Sequence, residues 1–409
     1  MLKNKISIVL IALSLLGGMS SLAQNNTNSP YSRYGYGILE DNAVGANRGM
    51  GGVGYGFQSG RQINIKNPAS YAAMDSLTFL FDIGVSLQNT WMKENSLKES
   101  EVNGNLDYIA LQFPLGRHMA GSAGLTPFSS VGYSFGGSIP NGSYTQGGEG
   151  GISQAFIGLS GDIYKGLYLG ANVSYLFGNI EHTTTLLPTD NTIGSIFLKK
   201  LHVSDFRVEF GLQYTHNINK KNRITVGAVY TPEKKLLGRT YTYEEIYSTT
   251  SGSTSISRSD SSSIKSRYSL PTSIGAGFTY VWDERLTVGA DVTFQDWSSV
   301  RYDGVKDSLN NRLKVAIGAE FLPNPMSGNY MKRMFYNHSY LKVKGCDIDE
   351  YGITCGFGFP VRRDKSILNL SLEYLNRQST PTSFIRENFL RVSLSLTFNE
   401  LWFFKRKFE

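Results

Sequence analysis

The chain has 409 residues, with 40 Lys+Arg, 33 Asp+Glu and a formal charge of +7, too small and too scattered to point to nucleic acid. Only 18% of residues are charged, against about 25% in an average soluble protein, while 12% are aromatic and 44 are Gly. The 2 cysteines exclude a disulfide scaffold or cysteine-rich metal site, and beyond the N-terminus no stretch approaches the ~18 apolar residues of a spanning helix.

Residues 1–23 read as an export signal. Lys3 and Lys5 form the basic start, Ile6 to Leu16 the apolar core, and Ser21-Leu22-Ala23 a small-x-small cleavage site. Residues 24–76 follow and show no regular alternation. They hold Ser29-Pro30-Tyr31-Ser32-Arg33-Tyr34, then Arg48-Gly49-Met50-Gly51-Gly52-Val53-Gly54, then Asn67-Pro68-Ala69-Ser70-Tyr71. Such Gly and aromatic density favours compact irregular structure. A segment of this length ahead of a barrel is expected to fold back and fill the lumen; the alternative is a periplasmic tail.

From residue 77 to 409 one pattern repeats: a run of about ten residues alternating in polarity, then a turn. In Leu368-Asn369-Leu370-Ser371-Leu372-Glu373-Tyr374 the apolar residues share one face and Asn369, Ser371 and Glu373 the other. A period of two excludes amphipathic helices. The second face holds Gly, Ser, Thr, Asn and single charges, such as Asp82, Gly84 and Ser86, rather than the Lys and Glu coat of a soluble sandwich. That suits a polar lumen behind a lipid-facing wall. Counting runs predicts about fourteen strands of an all-β, antiparallel transmembrane β-barrel; twelve is the alternative, because the run at Tyr340–Lys344 is the weakest. Trp91 and Trp297 at outer strand ends, with Trp282 and Trp402 at inner ends, fit interfacial girdles.

Asn67-Pro68-Ala69, after a Gly-rich lead and just before the first strand, resembles the hatch signature of FadL/TodX-like (OMPP1) outer-membrane transporters of long-chain fatty acids and other hydrophobic compounds. Asp296-Trp297-Ser298 at the end of the ninth strand resembles a second recurrent feature of that family, and the resemblance spans essentially the whole mature chain. It implies a lumenal hatch in which Asn67, Pro68, Ala69 and Ser70 gate a ligand. It also implies a third strand kinked inward beside a lateral opening. In this chain Pro127 and Phe128 stand there. Proline cannot donate to a ladder and is normally kept out of central strands, so Pro127 marks a discontinuity, or simply a strand end or bulge. The implied activity is passive transport, in the outer membrane of a diderm bacterium, with a hydrophobic small molecule or lipid as partner. A FadL-like structural subunit of a secretion or barrel-assembly complex, docking other outer-membrane or periplasmic proteins, is the alternative. The family's ligand-carboxylate groups find no match here; Arg207, Lys314 and Arg391 are only lumen-facing basic positions.

No enzyme, cofactor or metal site is expected. Gly49-Met50-Gly51-Gly52-Val53-Gly54 satisfies GxGxxG but follows no apolar strand and opens no helix. The five histidines lack metal-ligand spacing. Cys346 and Cys355 are expected to remain unpaired thiols.

Overall fold

The computed structural model describes residues 27–75, 78–94, 96–189, 193–248, 254–306, 309–322, 331–343, 346–361, 366–380 and 385–401. The expected signal (1–23), Trp402 and the side chain of Cys346 lie outside the described residues.

The N-terminal segment contains a 3-10 turn at Pro30–Arg33, a two-residue strand β1 (Ile38–Leu39), a short helix α1 (Gly45–Gly49) and a second 3-10 turn at Pro68–Ala73. Alternating strands follow in chain order: β2 (Thr78–Glu94), β3 (Leu97–Pro114), β4 (Met119–Ile139), β5 (Gly142–Tyr164), β6 (Leu167–Pro188), β7 (Ile193–Asn217) and β8 (Asn222–Thr231). A long outer connection carries β9 (Lys234–Lys235), β10 (Gly238–Ser248), β11 (Thr254–Ser263) and β12 (Ser269–Leu270). The wall resumes with β13 (Ser273–Trp282) and β14 (Leu286–Gln295). A small hairpin, β15 (Arg301–Tyr302) and β16 (Val305–Lys306), precedes β17 (Leu309–Phe321), β18 (Met331–Val343), β19 (Cys346–Val361), β20 (Ser366–Thr380) and β21 (Arg386–Leu401).

Each wall strand pairs antiparallel with the next, from β2 with β3 through β7 with β8, β8 with β13, and on to β20 with β21. β21 pairs back with β2 from Thr78↔Leu401 to Lys93↔Arg386. One rim carries short turns. In the three-residue turn Asp283–Arg285 both Asp283 and Glu284 take positive φ (50° and 54°), and the Arg285 N–H donates to the Trp282 carbonyl (2.9 Å). The other rim, called outer below, carries the long connections.

The two faces are inverted relative to a water-soluble sheet. Leu87, Ile157, Phe206 and Ile353 point outward and are 58–68% exposed, whereas Asp82, Ser86, Asn172, Gln213, Asp291 and Thr397 on the alternate positions are buried. At about 25 cal/mol per Å² of apolar surface, water is a poor surrounding for that exterior and acyl chains a good one.

The structure adds three things to the reading from sequence. β4 to β7 have 21, 23, 22 and 25 residues, where about ten suffice to cross a bilayer, so they rise well beyond the outer rim. Their outer halves, such as Gly142-Ser143-Tyr144-Thr145-Gln146-Gly147-Gly148, lack apolar alternation and carry no strand signal in the sequence. Second, the Ser- and Thr-rich connection after β8 is partly ordered: β10 pairs with the outer part of β7 and β11 with β10. Third, Trp297 is no girdle residue. It is 3% exposed and packs among Tyr36, Tyr268 and Val300, while Trp91 and Trp282 are exposed as a girdle requires.

Candidate functional site

The N-terminal segment reaches the buried polar face of strands all around the sheet. Ser29 meets Glu387 in β21, Arg48 meets Asp107 in β3, Gly54 meets Asp291 in β14, and Tyr71 meets Asn172 in β6. Asn67 is fully buried. Its Oδ1 accepts from the Ala69 N–H (3.0 Å), capping the 3-10 turn that Pro68 opens. Its Nδ2 donates to the Tyr55 carbonyl (2.8 Å) and to the Leu212 carbonyl of β7 (3.1 Å). Ser70 Oγ donates to the Asn64 and Asn67 carbonyls (2.9 and 2.8 Å), and Ser160 Oγ of β5 donates to the Ala69 carbonyl (2.8 Å). The wall is bare where this turn lies against it. A Cβ on Gly211 would stand 2.2 Å from Asn67 Oδ1, and one on Gly170 would stand 2.5 Å from the Pro68 carbonyl.

Above this layer lies a charged cluster. The Lys66 ammonium, 6% exposed, stands 3.7 Å from Asp41 and 3.6 Å from Asp291, donates to the Gly52 carbonyl, and lies 4.9 Å from the Tyr55 ring centroid. Lys314 of β17 pairs with Asp41 as well. The N–H groups of Gly54 and Tyr55 donate to Asp291 Oδ2 (2.7 and 3.0 Å). Burial alone would raise the Asp41 carboxyl, but Lys314 and Lys66 outweigh it and hold it well below the usual carboxylate range. Burial likewise opposes the Lys66 charge, yet Asp41 and Asp291 lift its pKa above the ordinary lysine value. The Tyr55 phenol is pushed up to about 12, mainly by burial. GxGxxG at Gly49–Gly54 therefore serves the fold: it leads the chain into Asp291.

Nearer the outer rim Arg377 of β20 donates to Glu350 (2.6 and 3.0 Å) and Glu387 (3.0 Å), and Ser29 Oγ donates to Glu387 (2.7 Å). Between segment and wall lies a cavity of about 90 Å³ whose lining includes Glu40, Asp41, Arg48, Lys314, Arg377 and Arg391. Another space of about 90 Å³ is lined by Lys66, Arg207 and Glu209 among others. Ile38, Leu39, Ile348, Leu375 and Phe389 share the lining of the first space with these charges.

Apolar packing occurs both between segment and wall, where Val44, Ile63, Ile65 and Tyr71 meet Tyr108 and Phe156, and at the outer mouth. Tyr36 donates to the Ser269 carbonyl (2.9 Å), and its ring lies 5.3 Å from Tyr302, 6.0 Å from Trp297 and 6.5 Å from Tyr268. Val131, Ile152, Leu176, Ile180, Leu201, Val203, Leu236 and Ile264 complete the cluster. Asp303 clamps it from outside through Arg267 (2.5 Å), Tyr268 (3.0 Å) and Lys199. Burial first, then the neighbouring Tyr302 and Tyr268, raise the Tyr36 phenol well above its ordinary value. Tyr302 and Tyr268 are themselves raised by burial and by Asp303.

Pro127 stays within β4, at a bulge between Pro127 and Ser129. Pairing of β4 with β3 ends at Ile109↔Leu125. Beyond it, β1 takes over the vacated edge (Ile38↔Ser130, Leu39↔Ser129), the Glu40 N–H donates to the Phe128 carbonyl (3.1 Å), and Ser32 Oγ bonds both backbone groups of Gly132 (3.0 Å each). The Phe128 ring packs against the cap cluster and receives the Arg207 guanidinium 5.5 Å from its centroid. Phe128 and Asn67–Ser70 thus occupy different layers. Cys355 is a half-buried free thiol.

The BamG family model matches residues 1–409. The chain belongs to the BamG family. Solved structures similar to this BamG-family chain include the P. putida toluene transporter TodX (16% identity, TM-score 0.63, covering 89% of this chain and 99% of that one). The CymD monoaromatic hydrocarbon channel (14%, 0.62, 89% and 99%) and a Pseudomonas aeruginosa FadL homologue (12%, 0.59, 88% and 99%) are also similar. At these identities they show a common fold. No curated protein matches by sequence.

Reasoning from sequence missed Glu40, Asp41, Arg48, Lys66, Glu350 and Arg377. Those in the segment sit in no periodic pattern; Glu350 and Arg377 lie on the same alternating polar face as Arg207, Lys314 and Arg391.

Proposed function

We propose that the chain forms an outer-membrane barrel of about fourteen strands, plugged by residues 24–76, and serves as a docking subunit of an outer-membrane secretion or barrel-assembly complex. One observation carries this reading. The space where an apolar solute would have to pass is laced by ion pairs that tie the segment to the wall (Lys66–Asp291, Lys314–Asp41, Arg48–Asp107), below an aromatic cap made from the chain's own residues. Moving an apolar solute through it would break buried charge pairs at several kcal/mol each. A wall that no longer passes solute retains its outer sheet and loops as binding surfaces. Mild detergent extraction of native membranes, followed by quantitative mass spectrometry, tests this. The reading expects at least one other outer-membrane protein in fixed stoichiometry. A lone barrel holding an apolar small molecule would contradict it.

A second reading, passive transport of hydrophobic small molecules such as long-chain fatty acids, is favoured by the wall ladder ending beyond Leu125. It draws also on the fold shared with the toluene transporter and the hydrocarbon channel. On that reading Asn67, Pro68, Ala69 and Ser70 gate the lumen, and Pro127 and Phe128 border a lateral opening. Uptake of a hydrophobic solute by cells whose chain lacks Asn67–Ser70 separates the two: a changed rate supports transport and an unchanged one supports docking.

A further inference from the structure

We infer that the outer edge of β4, from Ser134 to Ile139, is a strand-addition site, and that its occupant is an extended, uncharged segment of another protein. This rests on the docking reading and names where and how a partner binds.

The inference begins from unpaired backbone. β4 is bonded to β5 along its length up to the Ile139↔Gly142 hairpin, while on its other side β3 stops at Leu125 and β1 covers only Ser129 and Ser130. Parity decides which groups are left. The Phe128 carbonyl and both backbone groups of Gly132 face the N-terminal segment, so even-numbered residues of this stretch turn their N–H and C=O groups away from β5. Ser134, Gly136 and Ser138 continue that series, all exposed, and among the described residues none has a backbone partner there. Continuing the Ile109↔Leu125 register sets Ser134 opposite Ser100, which pairs with the exposed Trp91. The bare edge therefore starts at the outer membrane interface and rises from it.

The two sides of this break differ in protection. Natural edges are guarded by charge, proline or bulges. The β3 side carries Lys98, Glu99 and Glu101, all exposed. The β4 side, Gly132-Tyr133-Ser134-Phe135-Gly136-Gly137-Ser138-Ile139, has neither charge nor proline. Its inner face is aromatic. Tyr133 stacks on Phe135 with centroids 5.4 Å apart, and the Arg33 guanidinium lies 5.6 Å from the Phe135 centroid.

The occupant follows from the chemistry. Alternating donors and acceptors spaced two residues apart match a polypeptide backbone and not an acyl chain. The chain itself demonstrates the mode one step lower, where β1 adds to the same edge. A neutral segment with apolar side chains at alternate positions would continue β1 upward along β4 and cover Phe135.

Photo-crosslinking in native membranes tests it, with p-benzoylphenylalanine at Ser134 or Ser138 of the full chain and the adduct peptides sequenced. The expected result is adducts from both positions within one contiguous segment of a single partner, the two sites differing by about four residues along it. Gly136→Pro deletes an N–H that bonds nothing in the wall and is expected to cut adduct yield about tenfold. Ser134→Lys, which guards the edge without touching the backbone, should act in the same direction should the proline variant insert poorly. Stoichiometric co-extraction with no adduct from either position, or adduct yields unmoved by both variants, overturns the strand-addition site and leaves docking standing. Extraction of the chain alone, without adducts, overturns both.

Discussion

Replacing Lys66 with methionine keeps the stem and deletes one charge from a cluster that holds two carboxylates, Asp41 and Asp291, and the ammonium groups of Lys66 and Lys314. Asp41 keeps Lys314 and the nearby Arg312, and Asp291 keeps the N–H groups of Gly54 and Tyr55, but the buried Asp291 carboxylate loses the ammonium beside it. Removing one partner of a buried pair costs about 3–5 kcal/mol. The strand ladder is untouched, so the cost falls on the docking of the segment and not on the barrel. Its opening equilibrium should rise roughly 100- to 1000-fold or more. Amide hydrogen exchange of residues 44–57 in detergent micelles reads this directly. Asp291→Asn combined with Lys66→Met should cost less than the sum of the single changes, by about 1–3 kcal/mol. Exchange within twofold of the parent, or strictly additive costs, would refute the claim that these charges hold the segment.

Tyr36→Ala empties the cap and should destabilise the outer mouth by about 3–5 kcal/mol, seen as a red shift in Trp297 emission; unchanged emission would mean that the cap is held by other contacts. Because burial raises the Tyr36, Tyr268 and Tyr302 phenols, their contribution is complete below the unfolded tyrosine pKa of about 10 and is lost as pH climbs from there toward the folded values. Tyrosinate absorbance should accordingly show a late-titrating group whose ionisation coincides with exposure of Trp297. Gly211→Val places carbon where Asn67 Oδ1 now lies, 2.2 Å from the ideal Cβ. A barrel that still inserts but whose Asn67–Ala73 stretch becomes protease-sensitive is the expected outcome, and a protected stretch would contradict the close approach.

The wall was legible because a two-residue period survives any sequence context in which one face meets lipid and the other a polar interior. Leu368 to Tyr374 and Leu286 to Phe294 state the pattern without ambiguity. The outer extensions were not legible, since above the membrane neither face of Gly142–Ile152 has to be apolar. Trp297 misled for a related reason: a tryptophan at a strand end looks alike in sequence whether it faces headgroups or Tyr36. Asn67-Pro68-Ala69 stood out through its position. The reason for it, a carboxamide bridging the Tyr55 and Leu212 carbonyls over Gly170 and Gly211, exists only once strands far along the chain are brought alongside. The ion pairs were hidden in the same way, for Lys66 and Asp291 lie 225 residues apart in numbering.

The most direct measurement is the conductance of the purified chain in a planar lipid bilayer at moderate salt. A lumen closed by its own segment predicts a silent membrane for the parent chain and ion-conducting flicker for Lys66→Met and Gly211→Val. Steady, open conductance from the parent would contradict a fixed plug, and with it the docking role built upon a wall that has ceased to transport.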